Sequence, residues 1–321
     1  MPTSFPVGWY VPFLSSDLKA GEVKECAFFG QKLVAFRTLD GKAAVASAIC
    51  PHMGADLSKG RVTKEGLRCP FHGFCFDSLG ACTRTYIEGE TPPAKAQLKN
   101  MPLIEKEGLI FVFYHPKGEA PHWFPMELGT EEYVPLKGMV KEIAGGLEDI
   151  AENAFDFIHL MCVHQFEEAK IIQEPSFEAH TVTGIYGIKE GLRFLGLHLF
   201  KQFVQLHIHE EGLGLAWTKV SYFGIDFLLY TLPTPIDSGK IQILLAAHYQ
   251  DPFRNSKFLK WVMLPIKKIG SSLALKNLVS IIKQDIDVWH SQIHLEKPLL
   301  SKSDLFIGKF RQHIKQFYLE S

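Results

Sequence analysis

The chain has 321 residues, 46% of them hydrophobic and 21% charged, with 34 Lys and Arg against 35 Asp and Glu for a formal net charge of -1. That is the composition of one large or two ordinary globular domains with a real core, and its near neutrality excludes nucleic acid as an electrostatic partner of the whole chain. No apolar run reaches membrane-spanning length, residues 1–8 lack a basic segment followed by an apolar one, and six Cys in a chain this long are no disulfide scaffold, so a cytoplasmic protein whose clustered Cys and His bind metal is expected.

Residues up to about 115 carry short strand signals. Val34-Ala35-Phe36, Ala43-Ala44-Val45-Ala46 and Leu109 to Tyr114 are separated by turn residues, and Asp40-Gly41 between two apolar runs predicts a hairpin. Pro116 to Pro121 is a natural boundary. The expectation is an all-β unit over 1–118 and a second unit over 119–321. In the second unit, Leu147 to His164 has a helical pattern and about 174 to 250 alternates as strands. Ser256 to Ile293 is helical, with interruptions expected at Pro265 and around Gly270. Strands followed by helices make this unit α+β.

Within the β-rich unit, Cys50-Pro51-His52 is followed sixteen residues later by Cys69-Pro70-Phe71-His72. Each short loop offers one thiolate and one imidazole. Zinc fingers usually pair like with like, so a structural zinc site is the lesser alternative. Two mixed loops suit a [2Fe–2S] cluster in which one iron takes Cys50 and Cys69 and the other takes His52 and His72. Gly54, Gly73 and the two prolines fit tight loops approaching a cluster. Cys75 and Cys82 are expected to be small core residues.

In the larger unit, Asp156, His159 and His164 fall within nine residues. Asp156 and His159 would be neighbours on a helix face. His159 and His164, five apart, can share a metal only if the helix ends or bulges between them. Two His and one carboxylate with open positions mark a non-heme Fe(II) site that activates oxygen. Leu278, Ile282, Asp285 and Trp289 form one helical stripe, so Asp285 points into the core and is the expected third ligand. Asp287 shares its face with Ser280, Lys283, His290 and Ser291, a solvated face; it is next in line.

Cys50-Pro51-His52-Met53-Gly54-Ala55 and Cys69-Pro70-Phe71-His72-Gly73-Phe74 resemble the Rieske iron–sulfur domain. Respiratory members of that family carry an extra Cys in each loop; the matching positions here are Ala55 and Phe71, which points to the oxygenase or ferredoxin branch. With the Asp156, His159, His164 motif and the late carboxylate Asp285, the whole chain resembles the terminal component of a Rieske non-heme iron oxygenase. His52 to Ser58, Asn153-x-x-Asp156, Gln284 to Trp289, Lys297-Pro298-Leu299-Leu300 and Gln316-Phe317-Tyr318 are similar to the steroid-directed members, the ketosteroid 9-alpha-hydroxylase oxygenase component and the cholesterol 7-desaturases. Residues from about 165 to 250, expected to line the pocket, show no such match.

The resemblance implies an N-terminal all-β Rieske domain and a helix-grip α+β catalytic domain. It implies one [2Fe–2S] cluster and one mononuclear Fe(II) held by His159, His164 and Asp285. It implies a homotrimer in which Asp156 joins a cluster His, His72, to His159 across subunits, with Asn153 beside it in the catalytic motif. The partners implied are O2, an apolar steroid-like substrate, and an external NAD(P)H-dependent flavin and iron–sulfur reductase or ferredoxin. Consistently, no GxGxxG follows a strand here. The alternatives are an aromatic acid, quaternary amine or tetrapyrrole substrate, a Rieske electron carrier, or a sterol-binding module.

His207 and His209 alternate on a strand and are expected on a sheet surface or in the pocket rather than in a rival metal site. The 25 Phe are expected mostly in the core. Lys257, Lys260, Lys267, Lys268 and Lys276 with their apolar neighbours could form a basic surface that touches a membrane peripherally, but an ordinary half-buried helix is favoured.

Overall fold

Turn residues cut the first third of the chain into short strands, and those strands make small sheets. The computed structural model describes residues 5–87, 89–194, 197–256 and 262–319. Tyr10–Phe124 with Pro235–Ser238 form one unit, and the other described residues form the second.

Among its described residues the first unit is β apart from two single helical turns, Ser15–Asp17 and Leu57–Lys59. Strands β1 (Gly8–Leu14), β10 (Leu109–Tyr114) and β9 (Leu103–Lys106) form one sheet, and β2 (Val23–Phe28), β3 (Gln31–Arg37) and β4 (Ala43–Ser47) a second. Strands β5 (Arg61–Thr63), β6 (Gly66–Arg68), β7 (Cys75–Phe76) and β8 (Cys82–Arg84) form a third. The expected hairpin closes β3 onto β4, with Arg37 opposite Ala43 and Gly41 at φ 91°. Arg37 locks β3 to β9 through a two-pronged pair with Glu105, both contacts 2.8 Å. Cys50, Leu57, Leu67, Cys69, Phe74 and Phe76 share one buried cluster, against which Cys82 packs. Cys75 is itself buried. Cys75 is a core residue, as expected, and Cys82 is half-buried at the edge of the core.

The second unit is built on a seven-stranded antiparallel sheet in the order β11-β17-β16-β15-β14-β13-β12. Its strands are β11 (Lys137–Ala144), β12 (Ala169–Glu178), β13 (Thr181–Phe194), β14 (Leu197–Glu211), β15 (Leu215–Tyr222), β16 (Ile225–Asp237) and β17 (Lys240–Tyr249). Among the described residues the helices are α1 (Leu147–Glu152), α2 (His159–Cys162), α3 (Leu264–Trp289) and α4 (Leu305–Ile314). Helix α3 packs on β17 and β11. The α+β class stands, with strands dominant. No helix among the described residues is long and apolar enough to cross a membrane.

Three expectations are corrected. First, α3 is not interrupted. Pro265 lies in its first turn, where a missing N–H costs nothing. Gly270 is there for closeness: a Cβ would lie 2.5 Å from the Tyr249 hydroxyl of β17. Second, the lesser alternative of a basic surface loses Lys267, as the favoured half-buried helix allows. Its ammonium meets Asp251 at 2.8 Å with both side chains 2% exposed. Lys257, Phe258, Leu259, Lys260 and Trp261 lie outside the described residues. Third, Leu147 to His164 is not one helix. Helix α1 ends at Glu152, a single tight turn covers Asn153–Phe155, and Asp156 is extended at ψ 91° before α2. The Asp156 carboxylate accepts from the backbone N–H of Ile158 (3.1 Å) and of His159 (3.3 Å), so it replaces the helical bonds it interrupts.

Candidate functional site

The cluster loops are the simpler of two candidate centres. Each leaves a strand, turns through a glycine with positive φ (Gly54 at 74°, Gly73 at 72°) and closes on itself. Cys50 N–H donates to Ala55 O (2.9 Å) and Cys69 N–H to Phe74 O (2.8 Å). Cys50 and Cys69 are buried, whereas His52 is exposed and His72 half-buried. The two imidazoles face each other with ring centroids 4.7 Å apart, and His52 stacks on Phe74 at 4.3 Å. Burial, and then the neighbouring Cys69, push the Cys50 thiol up to about 11. His72 Nδ1 is buried without a hydrogen-bond partner. Two adjoining buried thiols and an orphaned imidazole nitrogen fit a cation-bearing cluster and suit nothing else nearby.

The second centre is assembled over a longer range. His159 comes from α2, His164 from the turn after it, and Asp285 from α3. One ligand atom from each lies within 4.8 Å of the others. The helix ends between the two histidines, as sharing requires, and their ring centroids are 5.0 Å apart. His164 and Asp285 side chains are 5% and 2% exposed, with Nε2 and Oδ1 3.3 Å apart. Asp287 is exposed.

Hydrogen bonds fix which ring nitrogen faces the centre. His164 Nδ1 lies 3.1 Å from Gln284 Oε1, an acceptor, so Nδ1 carries the proton. Nε2 then presents a lone pair to a carboxylate oxygen. Two such atoms facing each other in a buried place call for a proton or a metal cation between them. His159 Nδ1 likewise donates to the main-chain carbonyl of Asp156, and Asn153 Nδ2 lies 3.3 Å from His159 Nε2. Within the chain, Asp156 therefore meets His159 through its backbone oxygen, while its carboxylate holds the start of α2. Burial lowers both histidines below their ordinary range, which keeps them neutral, and raises Asp285 to about 7. Asp285 Oδ2 is buried with no partner. The donor set fits a mononuclear iron.

Sequence reasoning quoted Gln284 in a motif but gave it no role. Its position beside Asp285, at the start of an inward-facing turn of α3, was the available signal. Two polar contacts hold the segment ahead of the site. Arg311 of α4 grips Glu152 at 2.6 and 2.7 Å, and His294 Nδ1 lies 2.7 Å from Asp149.

The histidines and Asp285 open into a cavity of about 180 Å³. Aliphatic residues dominate its walls, with Leu206, Ile208 and Leu229 from the sheet and Leu278 and Ile282 from α3. Among the described residues one Phe, Phe166, lines it, while Phe36, Phe76, Phe113, Phe155 and Phe310 are fully buried, as the core expectation had it. One acid, Glu210, also lines it, and its position was not foreseen. His207 is exposed and His209 is buried against Trp217 with Nε2 3.0 Å from Glu211; neither joins the three-residue group.

Comparison with known proteins agrees with this architecture. The family described as Rieske [2Fe-2S] domain matches residues 8–102, and that described as 3-ketosteroid 9alpha-hydroxylase C-terminal domain matches residues 112–318. The chain is similar to a cholesterol 7-desaturase of Ciona intestinalis, at 29% identity over 100% of this chain and 70% of the relative. It is similar to the oxygenase component of a 3-ketosteroid-9-alpha-monooxygenase of Rhodococcus rhodochrous, at 25% identity over 99% and 83%. Among solved structures, dicamba monooxygenase bound to 3,6-dichlorosalicylic acid shares the fold with TM-score 0.69 at 18% identity, covering 98% of each chain. An N-terminal cluster domain joined to an oxygenase catalytic domain defines the class as Rieske-type oxygenases, and this chain is an oxidoreductase of that class. Within it, the chain belongs to the family of the 3-ketosteroid 9alpha-hydroxylase C-terminal domain.

Proposed function

We propose that this protein is the terminal oxygenase of a multicomponent monooxygenase acting on an apolar, steroid-like compound, with electrons from a separate reductase or ferredoxin. The observation that carries the reading is the lone-pair confrontation of His164 Nε2 and Asp285 Oδ1 at 3.3 Å beside an apolar cavity. Cys50, His52, Cys69 and His72 would hold the [2Fe–2S] cluster, and His159, His164 and Asp285 the mononuclear iron. When bound, the iron supplies oxygen activation, by which an oxygen atom enters a C–H bond or two hydrogens are removed.

The chain's own residues prepare that chemistry. Gln284 and the Asp156 carbonyl hold the proton on Nδ1 of His164 and His159, so each Nε2 is unprotonated and able to take metal, at His159 in exchange for the Asn153 amide 3.3 Å away. The aliphatic walls exclude water and orient an apolar substrate by shape. In the proposed homotrimer, the Asp156 carboxylate meets His72 of the partner subunit while its carbonyl holds His159. Asn153, beside His159 Nε2, completes the motif as a catalytic-site residue.

The steroid reading rests on the relatives. A second reading, a single-ring aromatic substrate, is favoured by the cavity: about 180 Å³ is close to the ~150 Å³ that holds a benzene. A four-ring skeleton must extend beyond it.

Metal analysis and oxygen uptake test the proposal. About three iron atoms per chain are expected, about two of them in the cluster. Uptake with a surrogate reductase should be stimulated most by sterols or ketosteroids. A preparation with a full cluster and no further ferrous iron removes the oxygenase reading. Stimulation by small aromatic acids alone selects the second substrate class.

A further inference from the structure

Glu210 stands apart from every other charged group of the cavity. Asn153, His159, His164 and Asp285 belong to the helical wall and the metal-like group. Glu210 sits on β14, in the sheet wall, opposite Val182 of β13 and Ala216 of β15. The residues two and four before it on the same strand face, Ile208 and Leu206, line the same cavity and are apolar. Glu210 is 3% exposed, and its Oε2 is buried without a hydrogen-bond partner. The next residue, Glu211, shows what a structural acid looks like here: it bonds His209 and the backbone N–H of Met126. Glu210 Oε2 has no such use. Thr218, Tyr222 and Thr231 bring neutral hydroxyls to the same cavity, but a buried carboxyl oxygen kept unpaired in a wall otherwise free of charge is a group waiting for a ligand atom.

We propose that Glu210 is a substrate-anchoring residue, whose carboxyl O–H donates a hydrogen bond to a neutral oxygen, ketone or hydroxyl, on an otherwise apolar substrate. The protonated form follows from the surroundings, since burial raises this carboxyl well above its ordinary range. A donor in an apolar wall discriminates strongly. A ligand without the oxygen leaves it unpaired, so the cost falls on the wrong ligand rather than on the right one. The inference deepens the proposed function by assigning one polar point to the substrate, and it rests on that reading only for the size of the skeleton.

The test uses the cluster- and iron-loaded protein and equilibrium dialysis, with ligands quantified by mass spectrometry. Two pairs are compared: androstan-3-one against androstane, and acetophenone against ethylbenzene. Wild-type protein should bind the ketone of at least one pair about tenfold tighter than its hydrocarbon. Glu210→Leu should reduce that preference to within about twofold, with cluster absorption and iron content unchanged. Glu210→Gln, whose amide also donates, should keep the preference within about threefold of wild type. Wild-type protein that prefers the ketone in neither pair overturns the proposal, and so does a Leu variant that keeps the preference. Discrimination in the acetophenone pair alone retains the anchor and removes the steroid skeleton. A Leu variant that fails to fold leaves the wild-type preference and the Gln variant to decide, with loss of the preference in a folded Gln variant counting against the donor.

Discussion

The two candidate centres hold similar ligands by opposite means. The cluster loops gather two Cys and two His within two tight turns, with Cys50 and Cys69 in the core and His52 exposed. The second centre draws His164 and Asp285, 121 positions apart, into a site where their side chains are 5% and 2% exposed. The first depends on turn geometry and the second on how α3 lies across its sheet. Damage to the packing of the catalytic unit should therefore disable the second centre and spare the first.

The sharpest break is Asp285→Ala. It removes one ligand and the buried carboxylate that faces His164. Mononuclear iron and turnover should be lost while the Rieske absorption and paramagnetic signal stay. The reciprocal change, Cys69→Ser, should lose those cluster signals and turnover. Turnover retained in Asp285→Ala would move the third ligand elsewhere, with Asp287 next to be tested.

Lys267→Met tests the packing half of the contrast. It strands Asp251 in a site where both partners are 2% exposed. Leaving one buried charge unpaired costs about 3–5 kcal/mol. Calorimetry should show the melting temperature falling by roughly 10 °C for a unit of this size. The cluster spectrum at room temperature should be unchanged. An unaltered melting temperature would mean that the pair does not secure α3.

Gln284→Leu tests the fixing of a ring nitrogen. With no acceptor for Nδ1–H, the His164 ring loses its orientation, and affinity for the mononuclear iron should drop about 10–100-fold. Cluster content should not change. Chelator competition reads the difference, and equal affinities would show that Gln284 does not set the tautomer.

What was legible in the sequence follows the same division. The cluster loops were legible because every ligand lies within a few residues of its turn. Asp285 was legible because helical period alone puts it in line with Leu278 and Trp289. The break at Asp156 was not, because an aspartate that caps a new helix and one inside a continuing helix look alike until its carboxylate is seen on the Ile158 and His159 N–H groups. Lys267 looked like surface because its partner, Asp251, reaches it through folding rather than along a helix face. Glu210 was hidden by its neighbours: His209-Glu210-Glu211-Gly212 has the texture of a solvated turn, although both acids are 3% exposed. The usable signal was the two-residue alternation from Leu206 through Ile208.

His248 supplies the smallest effect and a control for the second centre. It is a buried histidine of the same sheet with both ring nitrogens used. Tyr230 lies 3.1 Å from Nε2, and the other nitrogen bonds the Val134 backbone. No lone pair is left for a metal, in contrast to His164. Burial lowers it to about 4. The unfolded chain, with its histidine near the ordinary 6.5, takes a proton that the folded chain refuses. The stability His248 confers as a neutral group is therefore complete above pH 6.5 and declines as pH falls toward 4. Between pH 7 and 5.5 this amounts to about 1 kcal/mol. His248→Gln keeps a donor and an acceptor without titrating, so denaturant titrations at the two pH values should show a smaller loss in the variant by about that amount. Iron content of the variant should match wild type, because this histidine is core and not ligand. Equal losses in the two proteins would mean that His248 is protonated in the fold, and the distinction between the two kinds of buried histidine would not hold.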